Sequence, residues 1–206
     1  MKEYRPRLSA EENRLINEFR NGKNIGIIGD THCPFNLKET DEHLSYLQFC
    51  YETFNKFGVS EIVHIGDEVD NCAISFHQSE TDSLSAESEA EKAQAEMNLF
   101  YRAFPDVKVC VGNHSGPAAA KNRAIANRQS TIIGHCHSFG GVNYMASRND
   151  IIYGMNVGCG IDNSAYAFRY GKTFPKKPTI GCGVVLDGGK TALFIPMDLG
   201  SKVTRK

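Results

Sequence analysis

The sequence predicts an α/β fold with two packed sheets, and three observations carry that expectation. Apolar runs at 25–28, 61–65, 107–111 and 131–133 are short and read as buried strands, and 61–65 is β-branched, like a parallel strand covered on both faces. Between them lie stretches of helical spacing, the alternation that builds right-handed strand–helix–strand crossovers. From residue 142 onward the strands are short and their turns rich in glycine and Asx residues. That pattern suits an antiparallel second sheet packed on the first.

Each element has its own local cause. Ser9 followed by Glu12 reads as a capping box, opening a helix with Leu15, Ile16 and Phe19 on one face that Gly22 can close. After strand 25–28, a helix starting near Asp41 carries Leu44, Leu47, Phe54 and Phe57 and stops at Gly58. Strand 61–65 follows, then a polar stretch over 75–88 and a long helix over 86–104 that Pro105 ends. Strand 107–111, a short helix over 118–128 and strand 131–133 complete the alternating part. Further strands are expected at 142–145, 151–153, 155–157, 180–186 and 191–195, with Asp187-Gly188-Gly189 turning the last pair. No repeat or low-complexity tract divides the chain, so residues 1–206 read as one domain.

Composition removes some functions. A net charge of −1 gives no global attraction to nucleic acid or to an anionic membrane, so any such contact must be a local patch. The seven cysteines form no C-x-x-C pair, and no apolar stretch approaches the length of a bilayer span. Residues 1–7 are charged with no apolar run behind them, so no secretory leader is expected. The sequence therefore predicts a cytoplasmic protein with reduced thiols and no membrane partner.

Four motifs follow the strands in order: Asp30-Thr31-His32, Gly66-Asp67-Glu68-Val69-Asp70, Gly112-Asn113-His114 and Gly134-His135-Cys136-His137. They carry the carboxylates of Asp30, Asp67 and Asp70, an amide oxygen and four imidazoles to strand ends, where ligand sites of parallel sheets lie. Such a set suits two divalent cations about 4 Å apart. Taken singly, Asp30, Asp67 and Asn113 would be ordinary turn or cap residues. The ordered set is what points to metal. Asp70 closes its motif and is expected to orient a ligand rather than bind an ion. His64, inside a strand, reads as a core residue; His43 and His77 read as solvated.

With these motifs the chain resembles the calcineurin-like metallophosphoesterases. Its glycine- and aromatic-rich stretches at 153–162 and 165–171 are similar to small members encoded by bacteriophages. The resemblance implies an αββα sandwich with a parallel or mixed first sheet and an antiparallel second sheet. It implies metal-dependent hydrolysis of phosphate esters at two ions, manganese foremost and iron, zinc or nickel as alternatives. By the family pattern Asp30, His32 and His137 hold the first ion, Asp67 bridges, and Asn113 and His135 hold the second. The ions would supply the attacking hydroxide, and His114 would protonate the leaving-group oxygen.

The chain departs from the family in two places. Ser115 stands where an acidic residue usually follows the Asn-His pair, and no histidine lies between His114 and His135, where the family keeps another ligand of the second metal. A weak second site, completed by water or from elsewhere, is therefore expected. Arg169 and Lys172, interleaved with Tyr166, Phe168 and Tyr170, are candidate contacts to substrate phosphate, or else part of an ordinary loop. A phosphodiester is preferred as substrate. A nuclease of the same fold, and a phosphate- or nucleotide-binding protein with a degenerate second site, stay open beside it.

Overall fold

β1 (Ile25–Ile28) and β2 (Glu61–Ile65) run parallel at the heart of the main sheet, pairing Ile25 with Glu61 and Ile28 with His64. The computed structural model describes residues 22–74, 84–110, 118–162 and 177–199. The expected helix after Ser9, His77, Asn113, His114, Arg169 and Lys172 all lie outside the described residues.

The other elements are α1 (Tyr46–Lys56), α2 (Ala86–Ala103), β3 (Lys108–Cys110), α3 (Ala119–Asn127), β4 (Thr131–Ile133), β5 (Gly140–Ala146), β6 (Ile151–Val157), β7 (Gly181–Leu186) and β8 (Thr191–Pro196). Their strands form two sheets. The five-stranded sheet has the order β3-β2-β1-β7-β8 and the three-stranded sheet the order β4-β6-β5. The chain is thus a two-sheet α/β sandwich.

Alternation of side chains across β1 decides what each face of the main sheet covers. Ile28 joins Tyr46, Cys50 and Phe54 of α1 and Ala93, Met97, Phe100 and Phe104 of α2 and its end. Ile27 points the other way, to Tyr153, Met155 and Val157 of β6 and Val185 of β7. Burying each such side chain contributes about 2 kcal/mol. On the far side α3 lies against β6, where a side chain at Gly154 would strike the backbone of Ala120 and Lys121.

Helix ends follow the sequence closely, with one shift. α1 begins at Tyr46 rather than near Asp41, because Ser45 caps it by accepting the Gln48 N–H at 3.2 Å. Gly58, with φ +58, ends it in the left-handed conformation glycine adopts without penalty. α2 starts behind Ser85, which accepts the Ser88 N–H.

Sheet membership departs from the sequence reading in three ways. β4 was expected in the main sheet but pairs with β6, Ile133 opposite Asn156. The second sheet is therefore mixed, not antiparallel: β4–β6 is parallel and only β5–β6 antiparallel. β7 and β8 were expected there too, yet β7 lies antiparallel to β1, with Gly26 opposite Val184. The reason is burial. β7 is covered on both faces, Cys182 and Val184 toward the helices and Val185 toward the other sheet, which only a central strand of the sandwich can be. The runs 151–153 and 155–157 are one strand, continuous through Gly154.

Candidate metal centre

Because β1 and β2 are parallel, both deliver their motifs to the same edge, and β4 reaches that edge from the second sheet. Its Gly134 packs on the Ile65 carbonyl so closely that a side chain could not fit. Asp30 ties the three together. Its fully buried carboxylate accepts the Asp67 N–H at 2.7 Å through Oδ1 and the His135 N–H at 2.6 Å through Oδ2. His137 Nε2 stands 3.2 Å from the same Oδ2. Burial by itself would raise the Asp30 pKa; the His137 bond and charge, the Asp67 N–H and His32 outweigh it, so the net shift is downward. Gly66, with φ +135, leaves room for this carboxylate where any side chain would collide with it.

The two loops of the main sheet are laced by their backbones. The Asp67 carbonyl accepts Thr31 N–H at 2.9 Å and His32 N–H at 3.0 Å, and the Cys33 carbonyl accepts Asp70 N–H at 3.1 Å. His32 and His135 both take positive φ, 47° and 62°, a strained conformation that clusters at functional sites. His32 Nδ1 donates to Asp70 Oδ1 at 2.5 Å, which turns its Nε2 toward Asp67, 3.8 Å from Oδ2. A histidine fixed through one nitrogen by a carboxylate presents the other as a ligand. The rings of His32 and His137 meet edge to face at 5.1 Å.

Asp30, His32 and His137 offer ligand atoms that all lie within 4.8 Å of one another, and this group could hold a metal ion. One hard carboxylate oxygen and two imidazole nitrogens form a donor set suited to manganese, iron or zinc. Burial pushes the thiols of Cys33 and Cys159 up, to about 11 and about 12. Of the other sequence candidates, Asp67 is half exposed beside His32, Asp70 is behind it, and the His135 ring is 6.3 Å from that of His137.

His64 is a core residue, as the sequence suggests. It is fully buried on β2 with its ring edge-on to Phe100 of α2. The Thr31 hydroxyl donates to the Glu68 carbonyl at 3.0 Å, so His64 Nε2 is the donor in its 3.3 Å contact with Thr31. Burial lowers its pKa to about 4, with Asp30 pulling it up and His32 pushing it down. Between pH 6.5 and 4 the unfolded chain binds a proton here that the folded chain does not. Its contribution is therefore complete above about pH 6.5 and is lost on acidification, by roughly 3 kcal/mol at most. In metal-free protein, denaturant unfolding at pH 7 and pH 4.5 should show a smaller acid loss for His64→Gln than for wild type. Equal losses would remove His64 from the account.

Sequence reasoning missed Glu89, a buried carboxylate on α2. Its signal was an acidic residue on the stripe otherwise made by Ala93, Met97 and Phe100.

Comparison with family models, with curated proteins and with solved structures finds no match. Fold and site together define a two-sheet α/β protein with a buried carboxylate–imidazole centre at its strand ends. Among the described residues, no helix is long and apolar enough to cross a membrane.

Proposed function

We propose that the chain is a metal-dependent phosphoesterase of the calcineurin-like type, acting on phosphodiesters in preference to monoesters. The observation that carries this reading is the convergence of Asp30, His32 and His137 from both sheets, in a chain whose four motifs follow that family's order. Divalent ions bound there, manganese foremost, would activate water and neutralise charge on the phosphoryl oxygens.

The chain's own residues then divide the work. Asp30, His32 and His137 would hold the first ion. Asp67, half exposed beside them, would be shared with the second ion, and Asn113 and His135 would be that ion's further ligands. Asp70 keeps His32 in one orientation. His114 gives its proton to the leaving-group oxygen, and Arg169 and Lys172 meet the substrate phosphate. Such a protein would act in the cytoplasm, the host's if a phage encodes it, on a phosphate ester that can be a nucleotide or nucleic acid.

A second reading rests on one observation: no histidine separates His114 from His135 to complete the second site. A phosphate- or nucleotide-binding protein with one ion would need nothing more. A turnover screen with manganese separates the readings, using nitrophenyl mono- and diesters, cyclic nucleotides and single-stranded DNA. The proposal expects diester hydrolysis that a chelator abolishes. Turnover confined to single-stranded DNA would make the chain a nuclease. Manganese binding with no turnover of any substrate would favour the binding protein.

A further inference from the structure

Glu89 is 3% exposed, in the first turn of α2 and on the stripe that otherwise packs apolar side chains. An ionisable group there is costly unless its oxygens are bonded. Both are. Oε1 accepts the Cys72 N–H and Oε2 the Ala73 N–H, each at 2.7 Å. One carboxylate thus takes two backbone donors of the short 3-10 turn Cys72–Ile74. Charge-assisted bonds of this kind hold a loop more firmly than neutral ones.

That turn follows directly on the metal centre. Asn71, with φ 56, joins it to Asp70, whose N–H is bonded to Cys33 and whose Oδ1 receives His32 Nδ1. The path is short: Glu89 holds residues 72 and 73, these join Asp70 along the backbone through Asn71, and Asp70 holds the imidazole of His32. An apolar residue at 89 could pack on the same stripe but could not hold the turn.

We infer that Glu89 is a positioning residue of the metal centre, acting on His32 through Asp70. The inference rests on the proposed reading of Asp30, His32 and His137 as metal ligands. Glu89→Gln keeps the shape of the side chain but sets an amide N–H₂ against one of the two backbone N–H groups. It should weaken manganese binding roughly tenfold, the lower end of the range for groups that orient a ligand. Glu89→Asp keeps the charge with a shorter reach and should fall between Gln and wild type.

The test is calorimetric titration of the purified chain with manganese, alongside thermal unfolding of the metal-free protein. It covers wild type, Glu89→Gln, Glu89→Asp, Asp70→Asn and the Glu89→Gln/Asp70→Asn double variant. If Glu89 works through Asp70, it loses its effect on affinity once Asp70 is changed, and the double variant binds like Asp70→Asn. A structural role alone would lower the melting temperature and leave affinity within twofold of wild type, which overturns the inference. Equal affinity losses from Glu89→Gln with and without Asp70 overturn it as well. If Glu89→Gln does not fold, Glu89→Asp decides: an affinity equal to wild type overturns the inference, and a reduced one supports it. Wild-type protein that takes up no manganese would fail the parent reading and this inference together, whereas failure of the variants alone leaves the parent reading standing.

Discussion

Asp30→Asn should strip the chain of tightly bound divalent metal and lower its turnover by roughly a thousandfold or more. The scale is that of losing several kcal/mol of charge stabilisation at an ion. Asp30 is the fully buried carboxylate of the cluster, and its charge is shared among His137, the Asp67 N–H and the His135 N–H. An asparagine keeps one acceptor and turns an N–H₂ toward the other backbone N–H. The metal-free variant should therefore also lose about 1–3 kcal/mol of stability, the cost of an unsatisfied buried donor. His137→Gln separates the two effects, because it removes a ligand and leaves both backbone bonds to Asp30 in place. It should lose metal at smaller cost in stability. Elemental analysis after gel filtration, with and without a chelation step, reads the metal directly. Wild-type metal content in Asp30→Asn would sink the site assignment.

What the sequence made legible was what short-range pattern encodes. The β-branched runs at 25–28 and 61–65 are strands with those bounds, and Gly58 ends α1 as its lack of a side chain allows. Which sheet a strand joins is not a local property. The run at 131–133 looks the same whether it pairs with β3 or, as it does, with β6. β7 carried a usable clue in Gly181-Cys182-Gly183-Val184-Val185, small or apolar at every position, where β5 mixes Asn and Tyr into an exposed strand. A strand without a polar face belongs between two layers. At the site, Asp30, His32 and His137 were readable as a candidate metal-holding group because their residue types and order are specific. Their mutual geometry was not, since Asp30 reaches Asp67 and His135 through backbone N–H groups that any residue would supply. Glu89 escaped notice for a similar reason: it acts on backbone, and no motif marks the carboxylate that does so.

His114→Ala is the other change expected to act strongly, and it should act on chemistry alone. β3 runs parallel to β2, and the Cys110 carbonyl accepts the Gly66 N–H at 3.2 Å. The motif Gly112-Asn113-His114 thus begins two residues past a point that touches the Asp67 motif. A histidine there that protonates a leaving oxygen is worth roughly a hundredfold or more in turnover, the usual scale of a general acid. For an alkyl or nucleoside diester His114→Ala should show that full loss, with metal content unchanged. A nitrophenyl ester departs as a stable anion that needs no proton, so the same variant should lose at most about tenfold on it. The two substrates measured on one preparation give a ratio that neither misfolding nor metal loss can imitate, since both would lower the rates together. Equal losses on the two, with metal released, would instead make His114 a ligand, standing where the chain lacks a histidine between residues 114 and 135. Metal retained with equal losses on both would remove it from proton transfer and leave it a substrate-binding role.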